Sequence, residues 1–262
     1  MLNQFPIQMN TFYQLLKRDF TIFLSRFVDN YINTLCWVTL AIIVYQFIMP
    51  ELGCNYKGDF ILVSCVISKA FFGIMEDVSG IVEDLGGDRT ITYDMTLPIS
   101  HDLLFIKIAI SNAIHTFLLS LFILPAGKLL LWNHITFPYF CFPKFMLIIL
   151  ISSLFSGFFS LFIIGITKSI MEIEDVWTKY LFTMSSLGGF QFTWKATHQA
   201  SPLMSYINLM NPVTYMFEGM RGATLDPAMS ISFVTCCIVL ILFCIPMGLI
   251  GIYLLKRRLD AI

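Results

Sequence analysis

Asp84 and Asp88 are four residues apart, the spacing of aspartate motifs that bind a magnesium diphosphate. Carboxylates serve in such motifs because magnesium prefers hard oxygen ligands. Further carboxylates precede them at Glu76, Asp77 and Glu83. An enzyme acting on a diphosphate is expected to carry a second such motif. The other acidic cluster is a poor copy, formed by Glu172, Glu174 and Asp175. Diphosphate chemistry therefore stays open as one alternative.

A second set of polar residues lies within long apolar stretches. Lys69 must face protein or water, because an unpaired cation in mid-membrane costs about 2.5–3.5 kcal/mol. Glu76 follows two turns later, and we expect their axial separation of about 10 Å to be long for direct contact. Lys107, Ser111 and His115 recur at every fourth residue and form one polar stripe. The stripe, together with Lys69, either lines a path for a polar or charged headgroup or makes contacts between helices.

Motifs for nucleotide and metal chemistry are missing from the sequence. The Gly127-Lys128 pair is followed by two leucines and does not complete a P-loop. The four histidines are scattered over different segments and do not have metal-ligand spacing. We predict no catalytic residue, no metal site and no cofactor in this chain.

The composition determines what kind of molecule must position these residues. Of 262 residues, 57% are hydrophobic and 13% are charged, about half the charged fraction of an ordinary globular domain. The 16 basic and 17 acidic residues leave no basic excess for binding nucleic acid. A soluble enzyme, a disordered scaffold and a nucleic-acid-binding module are excluded. We predict an all-α integral membrane protein.

Six stretches are long enough to cross a bilayer core, which takes about 20 apolar residues in a helix. Within a transmembrane domain of residues 30–255, their approximate bounds are 30–50, 59–81, 103–126, 144–167, 178–195 and 231–255. The fifth is the shortest, and serines and glycines interrupt it between Ser185 and Gly189.

Residues 1–29 are predicted to be cytoplasmic and to contain an amphipathic helix lying along the membrane surface. Large apolar side chains recur there at helical spacing, with Lys17 and Arg18 mostly on the opposite face. These cations and Arg26 would be costly deeper in hydrocarbon. The alternative is an ordinary start to the first span, extended by a turn or two.

Basic residues predict the orientation. With the N-terminus inside, and with Lys69 and Lys107 set aside as intramembrane or boundary residues, nine Lys and Arg residues face the cytoplasm and five face the exterior, in agreement with the positive-inside rule. The tail at 256–262 is then also cytoplasmic, as six spans in the cell (inner) membrane require. Cys54 and Cys141 would both face the exterior, where a disulfide is chemically possible.

Residues 82–100 form a short, charged connection between the second and third spans. It can form a short helix that ends before Pro98, which a soluble partner could grip. The alternative is a plain solvated loop. The candidate contact residues are Arg89, Thr90, Ile91, Tyr93, Asp94 and Pro98.

Residues 196–228 are too long for a tight hairpin and are rich in apolar side chains. Asn211 and Pro212 can begin a helix, one as the cap and the other as the first residue, and we expect that helix to run for about three turns. Helices this short cannot span, so we expect them to enter the outer leaflet and return. Glu218 and Arg221, three residues apart, could neutralise each other there.

Together these features resemble the ABC-2 type permeases, the membrane subunits of ATP-binding-cassette exporters of polysaccharides, lipid-linked glycans and drugs. The resemblance covers essentially the whole chain. Its most specific part is the run Asn211-Pro212-Val213-Thr214-Tyr215, with Gly188-Gly189 before it and Arg221 after it. The segment Leu97-Pro98-Ile99-Ser100 also resembles the end of the family's coupling region.

The resemblance implies a pore between two copies of the chain and two separate ATPase subunits, which hold the ATP and magnesium and dock on residues 82–100. Membrane lipids would be further partners, and the cargo would be a lipid, glycan or amphiphilic drug leaving the cytoplasm. The implied extracytoplasmic gate consists of Gly188, Gly189, Asn211, Pro212, Tyr215, Glu218 and Arg221. Two alternatives remain, an ATP-independent channel or secondary transporter and a magnesium-dependent membrane prenyltransferase.

Overall fold

A computed structural model describes residues 5–53, 58–87, 90–131 and 137–259, and the regular elements within these residues are all helical. The principal helices are α1 (Phe5–Ile43), α2 (Gly58–Gly86), α3 (Thr90–Asp94), α4 (His101–Leu121), α5 (Ile123–Leu130), α6 (Phe142–Ile166), α7 (Ile173–Val176), α8 (Thr183–Leu187), α9 (Trp194–Ala200), α10 (Pro202–Leu209), α11 (Pro212–Thr224) and α12 (Phe233–Leu259).

Five helical stretches in the described part of the chain are long and apolar enough to cross a membrane. They are Pro6–Glu51, Gly58–Leu85, His101–Leu130, Phe142–Ile166 and Phe233–Leu259. The predicted all-helical fold is confirmed, and these five stretches agree with a multi-pass membrane protein. Each contains most of one predicted span.

The predicted fifth span, 178–195, is wrong as a single helix. α7 continues through a π-helical turn, Trp177–Phe182, into α8, and the helix ends at Leu187. Gly189 follows with a φ of +97°, a conformation that glycine adopts without the steric penalty of a Cβ atom. The chain therefore turns there, and the next helix begins only at Trp194.

α1 shows no break at residues 29 and 30, where we expected a surface helix to meet the first span. It continues through a π-helical turn, Val44–Ile48, to Glu51. The predicted boundary is therefore wrong. The physical reason is that residues 7–49 contain no glycine or proline to interrupt the helix.

Contacts identify the two ends of the helical bundle. At one end, which we call the tail end, Arg258 of α12 donates to the carbonyl oxygens of Ile164 and Lys168, at the end of α6. At the opposite end, which we call the far end, the N–H of Cys141 just before α6 donates to the carbonyl of Ala223. Because α12 begins shortly after this point, α6 and α12 run in the same direction. The chain between them must pass from the tail end to the far end, and α7 and α8 carry it.

α6 is the central helix of the bundle and packs against α2, α4, α11 and α12. Its contact with α4 includes a buried polar pair, in which Asn112 Nδ2 donates to Ser160 Oγ over 3.0 Å. At the tail end, Lys256 of α12 pairs with Asp102 at the start of α4, 2.6 Å apart. These contacts hold the helices that position the sites described next.

Candidate functional site

The far end is organised around Arg221, which is only 2% exposed. Its guanidinium donates to Glu218 (3.1 Å), to Ser64 Oγ (3.1 Å), and to the carbonyl oxygens of Phe192 (2.8 Å) and Gly189. We call these five residues the arginine cluster. They tie α11 to α2 and to the turn that follows α8.

Glu218 makes the arginine cluster a junction of three backbone segments. Besides its ion pair with Arg221, one of its carboxylate oxygens accepts the N–H of Trp194 (2.9 Å) at the start of α9. The other accepts the N–H of Ile231 (3.0 Å), just before α12. The predicted pairing of Glu218 with Arg221 is confirmed. The guanidinium also lies 4.1 Å from the ring centroid of Phe60, a cation–π geometry.

Asn211 and Pro212 begin α11 as predicted. The Asn211 side-chain oxygen accepts the N–H of Val213 (3.0 Å) and so caps the helix. Its Nδ2 donates to the carbonyl of Met184 in α8 (2.6 Å). Tyr215, one turn into the helix, is 8% exposed, and its hydroxyl donates to the carbonyl of Leu209 (2.8 Å). Asn211, Glu218 and Arg221, which the resemblance implied for a gate, therefore contact the turn and helix around Gly188 and Gly189.

We expect Asn211→Ala to destabilise the protein by about 1–2 kcal/mol, because it removes both the cap and the bond to Met184. Asn211→Ser keeps a good capping oxygen but is too short to reach that carbonyl. Its stability should lie between wild type and Asn211→Ala. Thermal unfolding of the purified protein in detergent measures the order, and equal loss in both variants would show that the cap contributes nothing.

The tail end holds a second group of charges. Arg18 of α1 donates to both carboxylate oxygens of Asp94 in α3, over 2.9 and 2.8 Å. Lys107 of α4 lies 2.5 Å from Asp19 and 4.0 Å from Asp94. We call Arg18, Asp19, Asp94 and Lys107 the ion cluster. It connects the N-terminal helix, the short α3 and the start of α4, and its buried charges are paired.

The predicted contact segment contains a short helix, α3, as expected. Asp84 caps it by accepting the N–H groups of Thr90 (2.9 Å) and Ile91 (3.0 Å). Asp94 is 3% exposed and points into the ion cluster. We had predicted it as a surface contact for a partner, and in that position it cannot make such a contact. Tyr93, in contrast, is 65% exposed.

The remaining residues of that segment are placed as follows. Thr90 and Pro98 are exposed, and Ile91 is half-buried. Arg89 and Asp88 lie outside the described residues, so the predicted contact of Arg89 stays a prediction. Among the predicted surface cations of α1, Lys17 and Arg26 are exposed, whereas Arg18 is drawn into the ion cluster.

Lys69 and Glu76 form a direct ion pair, with their charged atoms 2.6 Å apart. Our expectation that two helical turns are too long for contact is wrong. Both side chains are long and flexible, and they bridge the axial distance by extending toward each other along α2. The pair explains how Lys69, which is only 9% exposed, is tolerated among apolar residues.

Lys107, Ser111 and His115 lie together on the wall of a cavity of about 660 Å³ at the tail end of the bundle. Ser111 Oγ lies 3.4 Å from His115 Nε2, and the imidazole stacks on the ring of Phe23 with centroids 4.3 Å apart. Lys69 does not line this cavity. The stripe predicted from the sequence therefore faces open space between α1, α2 and α4.

Two residues important at these sites were missed by the sequence reasoning. Asp19 lies beside Arg18, and the sequence could have indicated its role, because a carboxylate in an amphipathic helix that also carries cations is expected to form an ion pair. Ser64 carried none, since a serine in an apolar span is common.

For the alternative diphosphate site, Asp84 is engaged as a helix cap, and no three His, Cys, Asp or Glu side chains in the described ranges are grouped to hold a metal. Of the two cysteines for which a disulfide was chemically possible, Cys141 is free, and Cys54 lies outside the described residues.

No family model matches the chain, and no curated protein or solved structure matches it either. Its function must therefore be argued from the motif and the geometry of the two ends.

Proposed function

We propose that this chain is the membrane permease subunit of an ABC-2 type exporter, driven by separate ATPase subunits. The observation that carries the proposal is the meeting of the three parts of the motif that resembles this family. Asn211 bonds to the helix that leads into Gly188, and Arg221 donates to the carbonyl of Gly189. A set of residues that is scattered in the sequence but joined in space is expected of one working unit.

The proposed topology has six membrane crossings, with α7 and α8 together forming the fifth. The parallel directions of α6 and α12 support this, because an additional pass must connect them. The tail end would be cytoplasmic, in agreement with its basic residues Lys168, Lys256, Arg257 and Arg258. The far end, with α9, α10 and α11 as re-entrant helices, would be the extracytoplasmic gate in the cell (inner) membrane.

Energy would enter through α3. In this scheme an ATPase subunit docks on the exposed face of α3, and the ion cluster passes its displacement to α1 and α4. The ion pair between Arg18 and Asp94 supports such a link, because the two charges must move together or separate at high cost. The cargo, a lipid, glycan or amphiphilic drug, would cross between two copies of the chain.

The proposal is tested by co-expressing the chain with a candidate ABC ATPase subunit. We expect a complex of two permeases and two ATPases whose ATP hydrolysis changes when the permease is present. An ATP-independent channel or secondary transporter predicts transport by the permease alone. Hydrolysis of ATP by the purified permease would refute the proposal, as would prenyl transfer from an isoprenyl diphosphate without any partner.

Tyr93 is the residue of α3 best placed to contact the ATPase. We expect Tyr93→Ala to reduce co-purification of the ATPase about tenfold, since exposed aromatic residues are frequent binding hot spots, and to leave thermal stability unchanged. Tyr139→Ala is the matched control, because Tyr139 is 55% exposed but lies near the start of α6 at the far end. Equal retention of the ATPase by both variants would place docking elsewhere.

A further inference from the structure

The tail-end cavity is lined by α1, α2, α3 and α4, lies within one copy of the chain and is partly open to its surroundings. Its volume of about 660 Å³ falls within the range of small-molecule sites, which is roughly 300–1,000 Å³. One part of its wall is polar. The apolar part is formed mainly by Ile22, Phe23, Leu104, Ile108 and Leu119. A wall of this kind suits a ligand with one charged end and one apolar end.

The cations around the cavity are largely neutralised by the protein itself. Arg18 and Lys107 are held by Asp19 and Asp94 in the ion cluster. Arg26 also lines the cavity, but it is exposed at the rim. The inner wall therefore has no surplus positive charge among the described residues.

The α2 side of the cavity carries the carboxylates of Glu76, Asp77 and Asp84. Glu76 pairs with Lys69, and Asp84 receives the N–H groups that begin α3. Asp77 lines the cavity and is half-buried, yet no hydrogen bond or ion pair to it exists within the described ranges. A partly desolvated carboxylate without a partner favours a cation from outside the chain.

The backbone leaves room for that cation beside Asp77. Gly80 lies one turn further along the same face of α2, and a Cβ atom built on it meets nothing within 4 Å apart from the adjoining residues and backbone of its own helix. Any larger side chain at residue 80 would extend into this space. The absence of a side chain at Gly80 therefore keeps the part of the cavity next to the carboxylate open.

We propose that this cavity binds a cationic amphiphile, with its ammonium group at Asp77 and its hydrocarbon chain along the apolar wall. A single carboxylate suits a monovalent ammonium, whereas a divalent metal ion needs several oxygen ligands. The amine could come from an aminophospholipid of the bilayer or from a soluble drug-like amine. The site does not depend on the proposed export function, because its occupancy can be measured on the permease without any ATPase.

The test uses the full chain, purified in a neutral maltoside detergent, and compares dodecyltrimethylammonium with dodecylsulfonate by microscale thermophoresis. We expect the ammonium compound to bind and the sulfonate to bind at least about tenfold more weakly. Asp77→Asn should weaken ammonium binding about tenfold or more, through loss of the charge. Asp175→Asn, a change of an exposed carboxylate away from the cavity, should have no effect.

A volume series at residue 80 tests the location independently of charge. Gly80→Ala should bind nearly as well as wild type, and Gly80→Leu should abolish binding while unfolding at or above the wild-type temperature, since glycine is a poor helix former. If Gly80→Leu does not fold, Gly80→Val takes its place in the series. Unchanged binding in the larger variants would overturn the proposal, as would unchanged binding in Asp77→Asn or equal binding of the sulfonate.

Native mass spectrometry distinguishes the two sources of the amine. An aminophospholipid that co-purifies with wild type and is lost from Asp77→Asn identifies a bilayer lipid. Occupancy only after the soluble amine is added identifies a solute. Failure of both compounds to bind would refute the site and leave the export proposal to its own test.

Discussion

Arg221→Met is expected to lower the free energy of unfolding by about 3–5 kcal/mol, because removing one member of a buried ion pair leaves the other charge without compensation. Glu218, the partner, is 1% exposed, and the substitution also removes the donors to four other oxygens, three of the backbone and one hydroxyl. For a chain of this size the change corresponds to a fall of roughly 10 °C in the unfolding temperature. Tryptophan fluorescence during heating in detergent measures it.

The double variant Glu218→Gln with Arg221→Met separates the charge from the packing. Glutamine keeps an oxygen that can accept the N–H of Trp194, so the double variant should recover part of the lost stability. Arg26→Met, a change of an exposed arginine, serves as the control and should unfold within about 1–2 °C of wild type. A double variant no more stable than Arg221→Met would show that the ion pair itself is not what holds the far end.

Asp94→Lys should disrupt both the fold of the tail end and the association with the ATPase. The new cation would lie beside Arg18 and Lys107 in a nearly solvent-free position, where like charges repel strongly. We expect a stability loss of about 3 kcal/mol and at least tenfold less co-purified ATPase. This double loss differs from Tyr93→Ala, which should affect association alone.

Two controls accompany Asp94→Lys. Asp102→Lys makes the same charge reversal at an exposed carboxylate whose pair with Lys256 is solvated, and such pairs contribute about 0–1 kcal/mol. The exchange variant Arg18→Asp with Asp94→Lys restores opposite charges and should regain part of both readouts. If the exchange variant is no better than Asp94→Lys, the two residues are not coupled.

Features that depend on neighbours along the chain could be predicted from the sequence. Apolar windows located five helices of spanning length, and Asn211 and Pro212 located the start of α11, because capping depends on residues only a few positions apart. The pairing of Glu218 with Arg221 followed from their spacing on one helix face. These predictions required only helical geometry and side-chain chemistry.

Features that join distant parts of the chain could not be predicted in this way. Arg18 meets Asp94 across 76 positions, and Arg221 meets Ser64 across 157, with nothing local to signal either contact. The position of Asp94 was misjudged for this reason, since its inward orientation depends on α1. The wrong boundary within α1 has a different cause, because an amphipathic surface helix and an apolar span form one continuous helix when no glycine or proline separates them.

The arginine cluster also sets the order in which the protein can be assembled. A chain emerging from the ribosome presents Ser64 early, but the guanidinium that meets it is made 157 residues later. One oxygen of Glu218 gains its donor only when Ile231, just before α12, has been synthesised. The hydrogen bonds of the arginine cluster at the far end therefore cannot all form until most of the chain has been translated. A chain that stops between Glu218 and Ile231 therefore leaves one carboxylate oxygen of Glu218 without its backbone donor.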